Sequence, residues 1–111
     1  MRMEIKMARL KSKENGDCIK IACETVIENK EFLFCYAYVM GQGELTGQRI
    51  LHAWNETGDV VFDYSNGNKV TMGREKYYKL AQIKEKDVTK QTQEEVVELM
   101  LETKTYGGWI N

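Results

Sequence analysis

The chain has 111 residues, a length that suits one domain with its own core. Its 16 basic and 17 acidic side chains leave a net charge of −1, and 42% of the residues are hydrophobic. This balance gives no compositional support to a general nucleic-acid binder, and no apolar run approaches the roughly 18 residues of a membrane span. The opening MRMEIKMARLK spreads charge through its apolar residues, unlike a secretion signal. Its alternation of Met3, Ile5 and Met7 with charges suits a strand, although Arg9 and Leu10 leave a helix open. KSKENGD, residues 11–17, reads as a polar turn.

From Cys18 to Asn29, Ile19, Ala22, Cys23, Val26 and Ile27 form the stripe of an amphipathic helix. Asp17 is its expected N-cap and Asn29 its expected stop. FLFCYAYVM, residues 32–40, is apolar on both faces and predicts a central buried strand. Its Phe32, Phe34, Tyr36 and Tyr38 share one face, which suits core packing or, less simply, a stacking wall for a ring. GQGELTGQ, residues 41–48, predicts a mobile loop, either a plain connection or a lid hinged at its glycines. Strands are expected at 49–56 and 59–65, with Thr57-Gly58 as the loop between them and SNGN, 65–68, as the next turn. Residues 74–80 suit a helical turn, and 81–88 a charged edge strand. TQEEVVELMLETK opens with a Thr92/Glu95 capping box, and Val96, Leu99, Met100 and Thr103 mark the inner face of the helix it starts. Trp109, in the tail, is placed to fold back onto the core. The expected architecture is a single α+β domain over residues 1–111: an N-terminal helix, a central antiparallel sheet and a C-terminal helix.

The only histidine, His52, lies in the first strand of the 49–65 hairpin, and Asp63 lies in the second. If Thr57-Gly58 is the loop, Glu56 faces Asp59, and antiparallel partners keep the index sum 115, which His52 and Asp63 share. Direct partners have Cβ atoms about 5 Å apart, within reach of an imidazole–carboxylate hydrogen bond. Such a pair either closes a sheet edge or fixes the tautomer of a catalytic base.

Three cysteines, Cys18, Cys23 and Cys35, form an odd set without CxxC spacing, as expected for reduced thiols in the cytoplasm. One His and three scattered Cys do not suggest a zinc site, and no cofactor motif is present. Cys23 falls within the helical stripe and Cys35 in the aromatic strand, so both read as core. Cys18 opens the helix, where free N–H groups and the macrodipole favour a thiolate. It is therefore the first candidate nucleophile.

A Cys opening a helix, then HAWNE at His52–Glu56, then FDYSNG at Phe62–Gly67, resembles the transglutaminase-like and papain-like cysteine hydrolase superfamily. The resemblance spans residues 17–68, and the short chain is similar in size and style to a compact phage or prophage member. It implies a papain-like core with Cys18 as nucleophile, His52 as general base and Asp63 as orienting acid. Ile19 stands where members often carry an aromatic residue. By residue type, Gln42, Gln48 and Trp54 are the substrate-binding or oxyanion candidates, and the Cys18 backbone N–H is another donor.

Two functional readings follow. One is a small hydrolase or acyltransferase acting on an amide, peptide or thioester bond of a small-molecule or peptide substrate. The other is a non-catalytic module on a degenerate hydrolase fold that binds a ligand or a protein partner.

Overall fold

The computed structural model describes residues 11–12, 17–41, 43–67 and 69–110. The expectation for Met1–Leu10 lies outside them, as do Gln42 and Asn68. Strand β1 is Lys11–Ser12, in the segment expected as a turn. Helix α1 is Cys18–Glu28, β2 Leu33–Met40, β3 Arg49–Thr57, β4 Val60–Asp63 and β5 Val70–Gly73. Helix α2 is Arg74–Ala81, β6 Thr89–Gln91, α3 Gln93–Thr103 and β7 Thr105–Tyr106. The fold is α+β, with three helices around a five-stranded antiparallel sheet of order β5-β4-β3-β2-β6 among the described residues. β1 and β7 form a separate parallel pair.

The sheet carries a core on each face. On one face, α1 and α3 bury Ile19, Ala22, Cys23, Val26, Val96 and Met100 against Phe34, Leu51 and Ala53. Each large side chain so buried contributes roughly 1.5–3 kcal/mol. The aromatic stripe belongs to this layer: Phe34 is buried, Tyr36 packs against the cluster, and Tyr38 at the far end is exposed. Trp109 folds back as expected, with its ring 6.1 Å from Phe34 and its Nε1 donating to Gln91 Oε1 at 3.0 Å. On the other face, Tyr77 and Tyr78 of α2 pack on Cys35, Ala37, Val39, Trp54 and Val61.

The helix ends follow local chemistry. α3 has the expected capping box: Thr92 Oγ1 accepts from the Glu95 N–H, and the Thr92 N–H donates to Glu95 Oε1 at 2.8 Å. The Gln93 side chain then donates to the carbonyls of Val26 and Ile27, which closes the last turn of α1 and locks the two helices together. α1 ends at Asn29, whose N–H bonds the Thr25 carbonyl, but Asp17 makes no side-chain cap bond at its start.

Two expectations need correction. Residues 81–88 form no strand: Ala81 ends α2, Gln82 takes the left-handed conformation, and Glu85–Asp87 make a short 3-10 turn. Their apolar members, Ala81, Ile83 and Val88, pack against the second core as a helix end and turn. The edge strand is β6, one step later, and β5 is a strand that was not anticipated. The β3–β4 register also differs. Thr57 pairs with Val60, so the loop is Gly58-Asp59, with Gly58 at φ +57 in its first position. The index sum is therefore 117, not 115. Residues 41–48 are drawn together by a 3-10 turn at Gly43–Leu45 and a 2.8 Å bond from the Gly41 N–H to the Gln48 carbonyl. A Cβ on Gly41 would sit 2.5 Å from the Leu45 carbonyl oxygen, so this closure requires glycine. Among the described residues, no helix is long and apolar enough to cross a membrane.

Candidate active site

An error of two residues in register leaves every side chain on its own face, whereas an error of one would have inverted them. Asp63 therefore still shares the α2 face with His52, but as a diagonal neighbour, a position that long side chains can bridge. His52 Nε2 and Asp63 Oδ2 are 2.7 Å apart, with both side chains largely buried. The β3–β4 ladder stops at Asn55–Phe62, short of His52. Helix α1 packs against the Ser65–Gly67 turn that follows Asp63.

Of the three thiols, Cys18 is the one that acts on the His52 imidazole, whose pKa it raises. Burial disfavours a charged imidazole, but the hydrogen bond and negative charge of Asp63, with a further contribution from Cys18, outweigh it and raise the His52 pKa to about 9. Burial likewise opposes the Asp63 carboxylate, yet its bonds to His52, Tyr77 and Ser65 hold its pKa below the usual value. Burial pushes the Cys23 and Cys35 thiols well above the ordinary range, and all three cysteines, Cys18 included, are buried in the core.

Each residue of HAWNE has a structural task. His52 is the base candidate. Ala53, 1% exposed, is small enough to let α1 lie close over the strand. Trp54 is buried and stacks on His52, with ring centroids 6.1 Å apart and an interplanar angle of 27°. It backs the imidazole from inside the core, and does not line the cavity beside it. Asn55 Nδ2 donates to the Ala22 carbonyl at 2.9 Å and the Leu33 carbonyl at 3.1 Å, pinning the Cys18 helix to the sheet. Glu56, 1% exposed, accepts from Trp54 Nε1 and the Tyr78 hydroxyl through Oε2. Its Oε1 lies 3.2 Å from Lys90 Nζ, in an ion pair without hydrogen-bond alignment.

Two partners of Asp63 were not anticipated. The Tyr77 hydroxyl donates to Oδ2 at 2.7 Å, and Ser65 Oγ donates to Oδ1 at 2.9 Å. Ser65 was legible in principle, since an Asp two residues before a Ser at a strand end favours a local side-chain turn. Tyr77 had no such signal, because α2 reaches Asp63 only through tertiary packing. Of the other candidates, Gln42 lies outside the described residues, and Gln48 is exposed and does not line the cavity. The cavity has a volume of about 380 Å³ and opens beside His52, Asp63 and Tyr77. A larger open depression of about 650 Å³, on Glu75, Lys76 and Lys79, contains none of the candidate groups. Among the described residues, no group of three or more His, Cys, Asp or Glu is arranged to hold a metal ion.

Comparisons with protein-family models, curated proteins and solved structures found no match for this chain. The functional reading therefore rests on the geometry of the site.

Proposed function

We propose that this chain is a small thiol hydrolase or acyltransferase on a papain-like or transglutaminase-like core, working in the cytoplasm without a cofactor. One observation carries the reading: His52 is bonded to Asp63 at 2.7 Å, and Cys18, which opens a helix, acts on the same imidazole. An imidazole so held keeps one tautomer and orientation, which is what a base beside a nucleophile needs. The Cys18 sulfur attacks the carbonyl carbon of an amide, peptide or thioester, and the Cys18 backbone N–H at the head of α1 stabilises the oxyanion. The leaving group departs with a proton from His52, leaving a thioester on Cys18. Water or an amine then gives its proton to His52 as it attacks, and the thiol is restored.

The second reading, a non-catalytic ligand- or protein-binding module, draws on the 7% exposure of Cys18, which limits access to the sulfur. Alkylation separates the two. A free thiol of pKa about 8.5 is only a few per cent ionised near pH 7. Under the catalytic reading, iodoacetamide labels Cys18 severalfold faster than such a thiol and ahead of Cys23 and Cys35, as read by peptide mass spectrometry. His52→Ala removes the advantage. Cys18 labelling at the ordinary rate, indifferent to His52→Ala, establishes the binding-module reading instead.

A further inference from the structure

The cavity beside His52 lies on the α2 face of the sheet and continues the second core, against which Ile50 and Met72 already pack. Cys18 is not in its wall and belongs to the core of the other face. What the cavity holds is therefore a matter of binding, apart from the thiol. Val39, Leu45, Ile50, Met72 and Leu80 supply an apolar wall, and apart from His52 and Asp63 no charged side chain among the described residues lines it. The polar groups in the wall are already occupied. A carboxylate has about four acceptor directions, and four donors meet those of Asp63: His52 Nε2 at 2.7 Å, the Tyr77 hydroxyl at 2.7 Å, Ser65 Oγ at 2.9 Å and the Ser65 N–H at 3.4 Å. The Gly41 N–H is committed to the Gln48 carbonyl at 2.8 Å. The imidazole, charged near neutral pH, is offset by the carboxylate it faces, so the pair carries no net charge.

We infer that this cavity is a binding site for one small, uncharged, apolar molecule, held by shape and burial and not by a counter-charge. An anionic or cationic occupant would lose water there without gaining an opposite charge. An apolar occupant covers apolar wall at no such cost. The volume, about 380 Å³, is at the small end for ligand sites. At about 30 Å³ per water it has the room of roughly a dozen waters, which suits a molecule of about ten non-hydrogen atoms. Leu45 and Leu80, 42% and 56% exposed, form the apolar rim that such a molecule crosses. The site stands whether or not Cys18 is a nucleophile.

The test compares 1-octanol, octanoate and octylammonium, which share one chain and differ in charge. Each is titrated into the protein at pH 7. The methyl resonances of Ile50 and Met72 and the Cε1–H resonance of His52, the only histidine, report on the cavity wall. 1-Octanol is expected to shift all three along one saturating curve. The two ions should bind at least about tenfold more weakly. Leu80→Asp, at a half-exposed position that the fold tolerates, puts a charge on the rim and should weaken 1-octanol severalfold. Leu45→Asp repeats the test from the other rim residue. An ion that binds as tightly as 1-octanol, a titration that leaves the three resonances in place, or an affinity unchanged by both rim variants overturns the inference. None of these outcomes bears on the alkylation of Cys18, so the cavity reading and the thiol reading fall separately.

Discussion

Replacing Asp63 with Asn keeps the shape of the side chain and removes the charge that faces His52. In the native chain the imidazole is held at a pKa of about 9 against an ordinary 6.5. At about 1.36 kcal/mol per pH unit, that difference corresponds to roughly 3 kcal/mol, the net of burial, Asp63 and Cys18, and the Asp63 part is shared with His52 and not to be counted for each. The estimate agrees with the roughly 3–5 kcal/mol lost when one member of a buried ion pair is removed. The sign is fixed by the direction of each change. His52 is raised, so its contribution is complete below pH 6.5 and fades as the pH rises through about 9. Asp63 is lowered, so its contribution is present above its ordinary range and is lost as acid titrates the folded carboxylate. The window of full stabilisation therefore lies between about pH 4 and 6.5. In Asp63→Asn the largest influence that raises the pKa is gone while that of Cys18 stays, and the His52 pKa should fall from about 9 towards its ordinary 6.5. Because the chain has one histidine, a single imidazole Cε1–H resonance reports the titration without assignment ambiguity. Denaturant unfolding at pH 6 should show the loss of roughly 3 kcal/mol, narrowing towards pH 10. A native midpoint near 6.5, or a midpoint unmoved by Asp63→Asn, would refute the pairing argument.

Tyr77→Phe removes one donor from Asp63 Oδ2 and keeps the ring that packs on Trp54. The folded carboxylate then binds protons more readily, so acid-side loss of stability should begin at a higher pH than in the native chain, with a cost of about 1–3 kcal/mol at neutral pH. Acid-unfolding curves that superimpose would count against it. Glu56→Ala strands the Trp54 indole N–H and the Tyr78 hydroxyl and leaves Lys90 without its nearest partner at 3.2 Å. A loss of about 3–5 kcal/mol is expected from the urea midpoint. A loss under about 1 kcal/mol would mean that water replaces the carboxylate and that the network is not closed.

What the sequence determined by itself was local and periodic. The stripe from Ile19 to Val26 specified α1 and its buried face, and Thr92 with Glu95 specified the start of α3, because a helix end is settled by hydrogen bonds within one turn. Alternation placed His52 and Asp63 on one face, and that survived a register off by two, because the strand period is two. Tertiary structure decided what depends on distant chain segments. The hairpin loop moved to Gly58-Asp59, where glycine supplies the left-handed conformation, and this carried β3 through Thr57. The middle helix, α2, brought Tyr77 to Asp63 and Tyr78 to Glu56, contacts between residues 14 and 22 positions apart along the chain. Trp54 passed from candidate substrate contact to buried backing for His52, because α2 covers it. A residue's type and spacing set which hydrogen bonds it can offer, but only the packing of α1 and α2 on opposite faces of the sheet determined which partner came within reach.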